Sequence, residues 1–413
     1  MCRRIVKRVI PVALLALGML TAESVYAING LNFYGIGARN RAMGGANCAA
    51  PVDTSTIYIN PAGLGRIGNT ADFGAHVLIA DRDIDRSNAT GAFVNPNPPL
   101  VEESGQPVYI TPFSGMSYRG EGSPWAFGMM IGGTTGEGAT YDQPRIDPAL
   151  LVPAGSVYDT SSFLLCIKAV PAVSYEVNDR LSVGAGLLVD VVLFSSDLAT
   201  GTFAQTAGRG RAEVSYLMGL QVGALYDIND CWSAGVSYTS RQWQLDDFGH
   251  YEDLIPGFEL PPELRFGVAC RPTDWLQLTA DYKYIGWENI GLFNRLPSEG
   301  GFGWHNQHTI GLGAQALLTD SVIARLGWNY GKSPIDSDVI FANAIVPVIY
   351  EHHIAAGLEL RLGDHHAFAV SAVVVPHNTM VDDGSGDAFS VGGAGIGIDF
   401  RSFDMDATWT IRF

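Results

Sequence analysis

The sequence predicts an all-β chain: a 14-stranded antiparallel transmembrane β-barrel plugged by a small N-terminal hatch. Three observations predict it. Apolar residues alternate with Gly, amides and charges over runs of about nine to fifteen residues. That matches the ~9–11 residues of a tilted membrane strand and exceeds the ~5–6 usual in soluble sheets. The connections between these runs alternate short and long. Finally, the chain is 47% hydrophobic but 16% charged, with 49 glycines in 413 residues. A soluble domain carries ~25% charge and ~7% Gly, and this balance also excludes a disordered chain or a coiled coil.

From the N-terminus, Arg3, Arg4, Lys7 and Arg8 precede the apolar run from Val9 to Leu20, and Val25-Tyr26-Ala27 offers a cleavage site. Residues 1–27 therefore read as a secretory signal peptide. The run is short of the ~20 residues of a helical anchor, and no Cys follows it directly as in a lipoprotein. Lys and Arg number 25 against 42 Asp and Glu, a net charge of −17, which becomes −20 once the signal is removed. No basic face is visible, so nucleic acid is excluded as a partner. Cys48, Cys166, Cys231 and Cys270 are widely spaced without a metal pattern. They read as small apolar residues, the last three within strands.

Residues 28–65 lack alternation and are rich in Gly and Ala. They are too many for a leader and too few for an independent domain, so a plug inside the barrel is the economical reading. Asn60-Pro61-Ala62-Gly63 ends the hatch. Pro61 fixes φ and pushes Asn60 toward extended backbone, and the Asn60 amide can bond nearby main chain.

Residues 66–413 form the barrel. Strands are expected near 70–81, 108–118, 124–134, 162–177, 181–195, 212–228, 231–244, 262–271, 274–287, 305–319, 321–331, 350–363, 365–376 and 403–413. Six short turns and seven long loops join them, the pattern of an outer-membrane barrel with its even strand number. Trp232, Trp275, Trp328 and Trp409 sit near strand ends, where an amphipathic ring favours the headgroup level. The final strand alternates to Phe413, which resembles the assembly signature read by barrel-assembly machinery.

Enzymatic motifs are absent. Gly331-Lys332-Ser333 lacks the first Gly of a phosphate loop, Gly35 and Gly37 lack a third Gly, and no Gly-x-Ser-x-Gly occurs. The pairs His352-His353 and His365-His366 point to opposite strand faces and cannot chelate simply. No catalytic residue, metal or cofactor is expected. Lys168, Asp190, Arg265, Lys283, Arg325 and Glu359 fall on the inward face. They form either an ion-pair network between hatch and wall or a site in which Arg265, Lys283 or Arg325 holds a substrate carboxylate. Loop 245–261 carries Phe248, Tyr251, Leu254, Ile255 and Phe258. It serves as a capture surface, as a cap packed on other loops, or as both.

Gly35-Ile36-Gly37-Ala38-Arg39, Ala42-Met43-Gly44-Gly45-Ala46 and above all Asn60-Pro61-Ala62-Gly63-Leu64 resemble the hatch of the FadL/TodX family. Trp125-Ala126-Phe127-Gly128 and the stretch from Val170 to Leu187 extend the likeness. The resemblance implies an outer-membrane, multi-pass transporter for passive uptake of long-chain fatty acids or aromatic hydrocarbons. It surrounds itself with outer-membrane lipid and lipopolysaccharide, and a monomer is expected. Ile28, Leu31 and Phe33 would form the pocket segment that moves when substrate enters. The family's Pro-Phe-Gly kink beside its lateral opening is replaced here by Gly132, Gly133 and Gly136. A general porin and, less readily, an outer-membrane lipid hydrolase are the alternatives.

Overall fold

The computed structural model describes residues 29–105, 108–146, 157–196, 212–252 and 255–413. The expected signal peptide, Ile28 and Leu254 lie outside the described residues.

Fourteen long antiparallel strands form a closed barrel: β1 (Thr70–Asp85), β2 (Val108–Arg119), β3 (Trp125–Ile146), β4 (Val157–Glu176), β5 (Leu181–Ser196), β6 (Glu213–Asp227), β7 (Trp232–Thr239), β8 (Glu263–Thr273), β9 (Leu276–Ile285), β10 (Gln307–Leu317), β11 (Val322–Gly331), β12 (His352–Leu362), β13 (His366–Val381) and β14 (Gly397–Arg412). The seam is complete. β1 pairs with β14 from Thr70↔Arg412 to Asp85↔Gly397, so no edge is left in lipid. Two short strands, Val101–Glu103 and Trp243–Gln244, add to β1 and β6 at the long-loop end.

Alternation sets the faces. On β5, Val183 and Leu187 are exposed outward while Ser182 and Asp190 are buried inward. On β14, Phe403, Met405 and Trp409 face out and Asp404, Asp406, Thr408 and Thr410 face in. Several strands differ in extent from their sequence reading. β1, β3, β4, β13 and β14 run further toward the long-loop end than expected, because past the apolar belt both faces turn polar and the period disappears. The predicted strand 231–244 stops at Thr239, and Trp243–Gln244 pairs separately with β6.

The hatch fills the lumen with two short helices, α1 (Ala38–Arg41) and α2 (Thr56–Ile59), and a 3₁₀ turn over Pro61–Arg66. Its main chain lies directly on the wall. A Cβ at Gly327 on β11 would sit 2.1 Å from the Gly44 nitrogen, and one at Gly184 on β5 would sit 2.4 Å from the Ala62 nitrogen. Only glycine permits that approach, which accounts for glycine on the inward face. Arg39 ties the hatch to the wall through Glu359 on β12 (2.7 Å), Asp72 on β1 (3.4 Å) and Thr410 on β14 (2.5 Å). Arg41 pairs with Asp404 and Asp406 (3.0 Å to the latter).

The largest apolar cluster joins the long loops to the strand ends beneath them, with Phe248, Phe258, Trp287, Phe293 and Trp304 stacked over the barrel mouth. The cysteine reading needs correction. Cys231 lies in the turn before β7, and its Sγ stands 2.8 Å from Cys270 Sγ on β8, because the strand register sets Cys270 opposite Trp232. Cys48 belongs to the hatch.

Candidate functional site

The wall is interrupted between β2 and β3. Their ladder runs only from Phe113↔Gly132 to Arg119↔Ala126, whereas β2 stays paired with β1 out to Val108↔Ile79. On its other side β3 shifts register against β4 between Gly133 and Thr135. The local sequence explains the break. A Cβ at Gly132 would lie 2.6 Å from Phe113 Cβ, and one at Gly133 would lie 2.9 Å from Thr111 Cβ. Glycine lets the strand bulge and leave its neighbour.

The freed edge is taken from inside by the start of the hatch. The Phe33 N–H donates to the Thr134 carbonyl (2.9 Å), and the Gly136 N–H donates to the Leu31 carbonyl (3.2 Å). Asn32 and Thr135 form a bridge, and the Thr135 hydroxyl donates to Asn32 Oδ1 (2.8 Å). Leu31-Asn32-Phe33 is thus a short surrogate strand.

Three cavities converge on it. A window cavity of 250 Å³ lies in the gap, lined by outward-facing Val108 and Ile110 and by Phe33, His76, Glu137 and Leu164 from inside. A cap cavity of 30 Å³ lies beneath the long loops, lined by Leu31, Glu137, Leu164, Phe194, Phe258 and Phe293 among others. A luminal cavity of 70 Å³ is lined by Asn32, Phe33, Lys168, Glu263, Arg265 and Lys283 together with hatch and wall residues. Leu31 and Phe33 therefore share one junction. The glycines Gly132, Gly133 and Gly136 frame the gap beside it.

The three candidate carboxylate partners separate. Arg265 and Lys283 meet at the luminal cavity, but each already faces an acid: Arg265 lies 3.7 Å from Asp281 and Lys283 lies 3.7 Å from Glu263. Lys168 similarly faces Asp190 at 3.6 Å. Arg325 is elsewhere, bonded to Glu359 (2.7 Å) and Gln315 (2.8 Å) in the network that anchors Arg39.

The described apolar side chains of loop 245–261 pack inward as a cap, a placement that leaves the capture reading untested. Phe248, Tyr251, Ile255 and Phe258 are buried. Phe248 stacks edge-on against Phe258 (5.7 Å), and Phe258 against Phe293 (6.1 Å). Tyr251 bonds Ser196 at the end of β5. Ile255 and Phe258 present their inner sides to the cap cavity. At the hatch end, Asn60 is extended (φ −155°) and Pro61 opens the 3₁₀ turn. The Asn60 Nδ2 donates to the carbonyls of Cys48 (2.9 Å) and Ala224 on β6 (3.0 Å), and its Oδ1 accepts from the Ala62 N–H (3.2 Å). Ala62 and Gly63 are buried beneath.

The sequence reading missed Arg82 and Glu137. They pair at 2.6 Å, each about 1% exposed, at the upper frame of the window. The Tyr350 hydroxyl donates to Glu137 Oε2 (2.6 Å), and Arg82 donates to Tyr109 Oη (3.2 Å) and the Gly138 carbonyl. Among the described residues no group of three or more His, Cys, Asp or Glu is arranged to hold a metal ion.

A family model described as "Outer membrane protein transport protein (OMPP1/FadL/TodX)" matches residues 17–365. The P. putida toluene transporter TodX superposes with a TM-score of 0.66 at 18% identity, covering 92% of this chain and 99% of that one. The Ralstonia pickettii toluene transporter TbuX gives 0.63 at 18% identity over 92% and 99%. A Pseudomonas aeruginosa FadL homologue gives 0.65 at 16% identity over 93% and 100%. These likenesses establish the fold. No curated protein matches the sequence.

Proposed function

Since the chain belongs to the outer membrane transport protein family (OMPP1/FadL/TodX), we propose that it carries hydrophobic small molecules passively from the cap cavity, past Leu31 and Phe33, and out through the gap between β2 and β3. As a member of that family it is an outer-membrane channel for hydrophobic compounds and not an enzyme. The observation that carries the route is the convergence of all three cavities on Leu31-Asn32-Phe33, docked on the glycine-broken edge of β3.

Two chemical reasons support a lateral exit. Straight passage down the lumen is obstructed by a hatch whose main chain touches the wall and whose arginines are held by buried carboxylates. The window, by contrast, opens among Val108, Ile110, Phe163 and Leu165, so an apolar molecule leaving there enters hydrocarbon without crossing water. A general porin needs an open polar lumen, which this hatch occupies. Two of the similar structures are toluene transporters and one is a FadL homologue, which makes aromatic hydrocarbons and fatty acids the first compounds to assay.

The test is a reversible lock. Asn32→Cys with Thr135→Cys places two thiols at the antiparallel bridge, within the Cα spacing a disulfide accepts. Oxidation should stop uptake of labelled hydrophobic substrate and reduction should restore it. Equal uptake in both states would refute the route.

A further inference from the structure

The cap and window cavities meet at Glu137 and Leu164. A molecule passing from one to the other must therefore slide along a buried carboxylate. That carboxylate is fully engaged. Oε1 accepts from Arg82 (2.6 Å) and from the Gly138 N–H (3.0 Å), and Oε2 accepts from Tyr350. Arg82 donates through its two terminal nitrogens to Glu137, Tyr109 and the Gly138 carbonyl, its Nε is buried without a hydrogen-bond partner, and its guanidinium lies over the rings of Tyr109 (5.4 Å) and Phe400 (5.3 Å). The acid lines both cavities while the base lines only the window. A buried ion pair is a poor stability device, since desolvation offsets most of its attraction; its retention at this junction calls for another account.

We propose that the Arg82–Glu137 pair is a charge filter on the route set out above, on which this inference rests: it admits uncharged apolar molecules and excludes apolar molecules that carry a carboxylate. An anionic headgroup at the junction meets the like charge of Glu137 in a low-dielectric passage, and both terminal nitrogens of Arg82 are already engaged. The luminal cations give no relief either, because Lys168, Arg265 and Lys283 each face an acid. An uncharged molecule of the same length meets no such penalty. The competing account is mechanical. The pair ties β1 to β3 where the β2–β3 ladder is missing, and bracing alone would leave discrimination unchanged when the charge is removed.

The test compares dodecanol with dodecanoate, equal in chain and different in headgroup charge. Uptake is measured in Gram-negative cells lacking other channels of this family. The wild type should take up dodecanol at least ~10-fold faster, the ratio that corresponds to ~1.4 kcal/mol. Glu137→Gln leaves Arg82 free to receive the ligand carboxylate and should raise the dodecanoate-to-dodecanol ratio about tenfold. Should that variant fail to assemble, Arg82→Gln/Glu137→Gln removes both charges and should bring the ratio toward one. Equal uptake of the two compounds by the wild type, or an unchanged ratio in the assembled variant, overturns the filter alone. Uptake of neither compound by the wild type overturns the route, and the filter with it.

Discussion

Replacing Asn60 with Ala should loosen the hatch while leaving the barrel closed. The Asn60 side chain is fully buried and makes three hydrogen bonds to main chain, two within the hatch and one to the Ala224 carbonyl on the wall. Each is worth ~1 kcal/mol net, and more where a buried partner is left without a replacement. The loss is therefore ~3 kcal/mol, which raises the population of an undocked hatch about a hundredfold. The same contact can be attacked from the wall. A Cβ at Gly223 on β6 would lie 2.1 Å from Asn60 Oδ1, so Gly223→Ala should produce the same effect by collision. Single-channel recording in planar bilayers reads the undocked state as opening events, and heat-modifiable gel mobility reports the intact barrel. Both variants should open about a hundredfold more often with unchanged mobility. Wild-type opening frequency in the two assembled variants would refute hatch anchoring by Asn60. Loss of the folded gel band would mean that Asn60 acts in assembly instead.

Three further outcomes are expected. Burial, with Asp72 beside it and against the pull of Arg39, pushes the Asp53 carboxyl up to about 6 from an ordinary value near ~3.9. The docked hatch therefore binds that proton more tightly than the released one, so its stability is highest below pH ~4 and declines as pH rises to ~6. Opening frequency should climb across that interval in the wild type and climb less steeply in Asp53→Asn. Phe248→Ser with Phe258→Ser empties two buried positions in the cap, each worth ~3–5 kcal/mol by analogy with Phe→Ala; protease nicking within 245–261 should increase sharply while barrel mobility persists, and an equally resistant cap would contradict the packing described. Cys231 and Cys270 should be joined by a disulfide in protein isolated from an oxidising compartment, detected as two thiols that alkylate only after reduction; free alkylation of both without reductant would refute the pairing.

The sequence carried the barrel because lipid imposes period 2 on every span. β5 and β14 were legible residue by residue, since Val183, Leu187, Met405 and Trp409 alternate with small or polar neighbours. Arg82 and Glu137 escaped notice for the converse reason. Asp81-Arg82-Asp83 and Gly136-Glu137-Gly138 have no apolar face, so strands expected to end at 81 and 134 hid both residues in supposed loops. The hatch was visible as a lapse in alternation. Its seat on the wall was not, because an inward glycine looks the same whether it faces water or main chain. The aromatics of 245–261 were visible too, but a loop has no period from which to read direction. Whether Phe258 faces solvent or Phe293 depends on residues 35 positions further on.

The arginine anchors have a consequence for how the molecule comes together in time. Arg39 and Arg41 lie near the start of the described chain, yet they reach Thr410 across 371 positions and Asp406 across 365. Their other wall partners sit on β1 and β12, so the carboxylates that neutralise them flank the seam. Contacts of such sequence separation form late and slowly. Until β14 arrives, the Arg41 guanidinium remains without both of its carboxylate partners, Asp404 and Asp406, and a hatch without them belongs in water. Because hatch main chain rests on glycines from several strands, it also has no room to thread into a finished cylinder. The wall must therefore close around the hatch, with the last strand acting as both the final stave and the counter-ion that completes the plug.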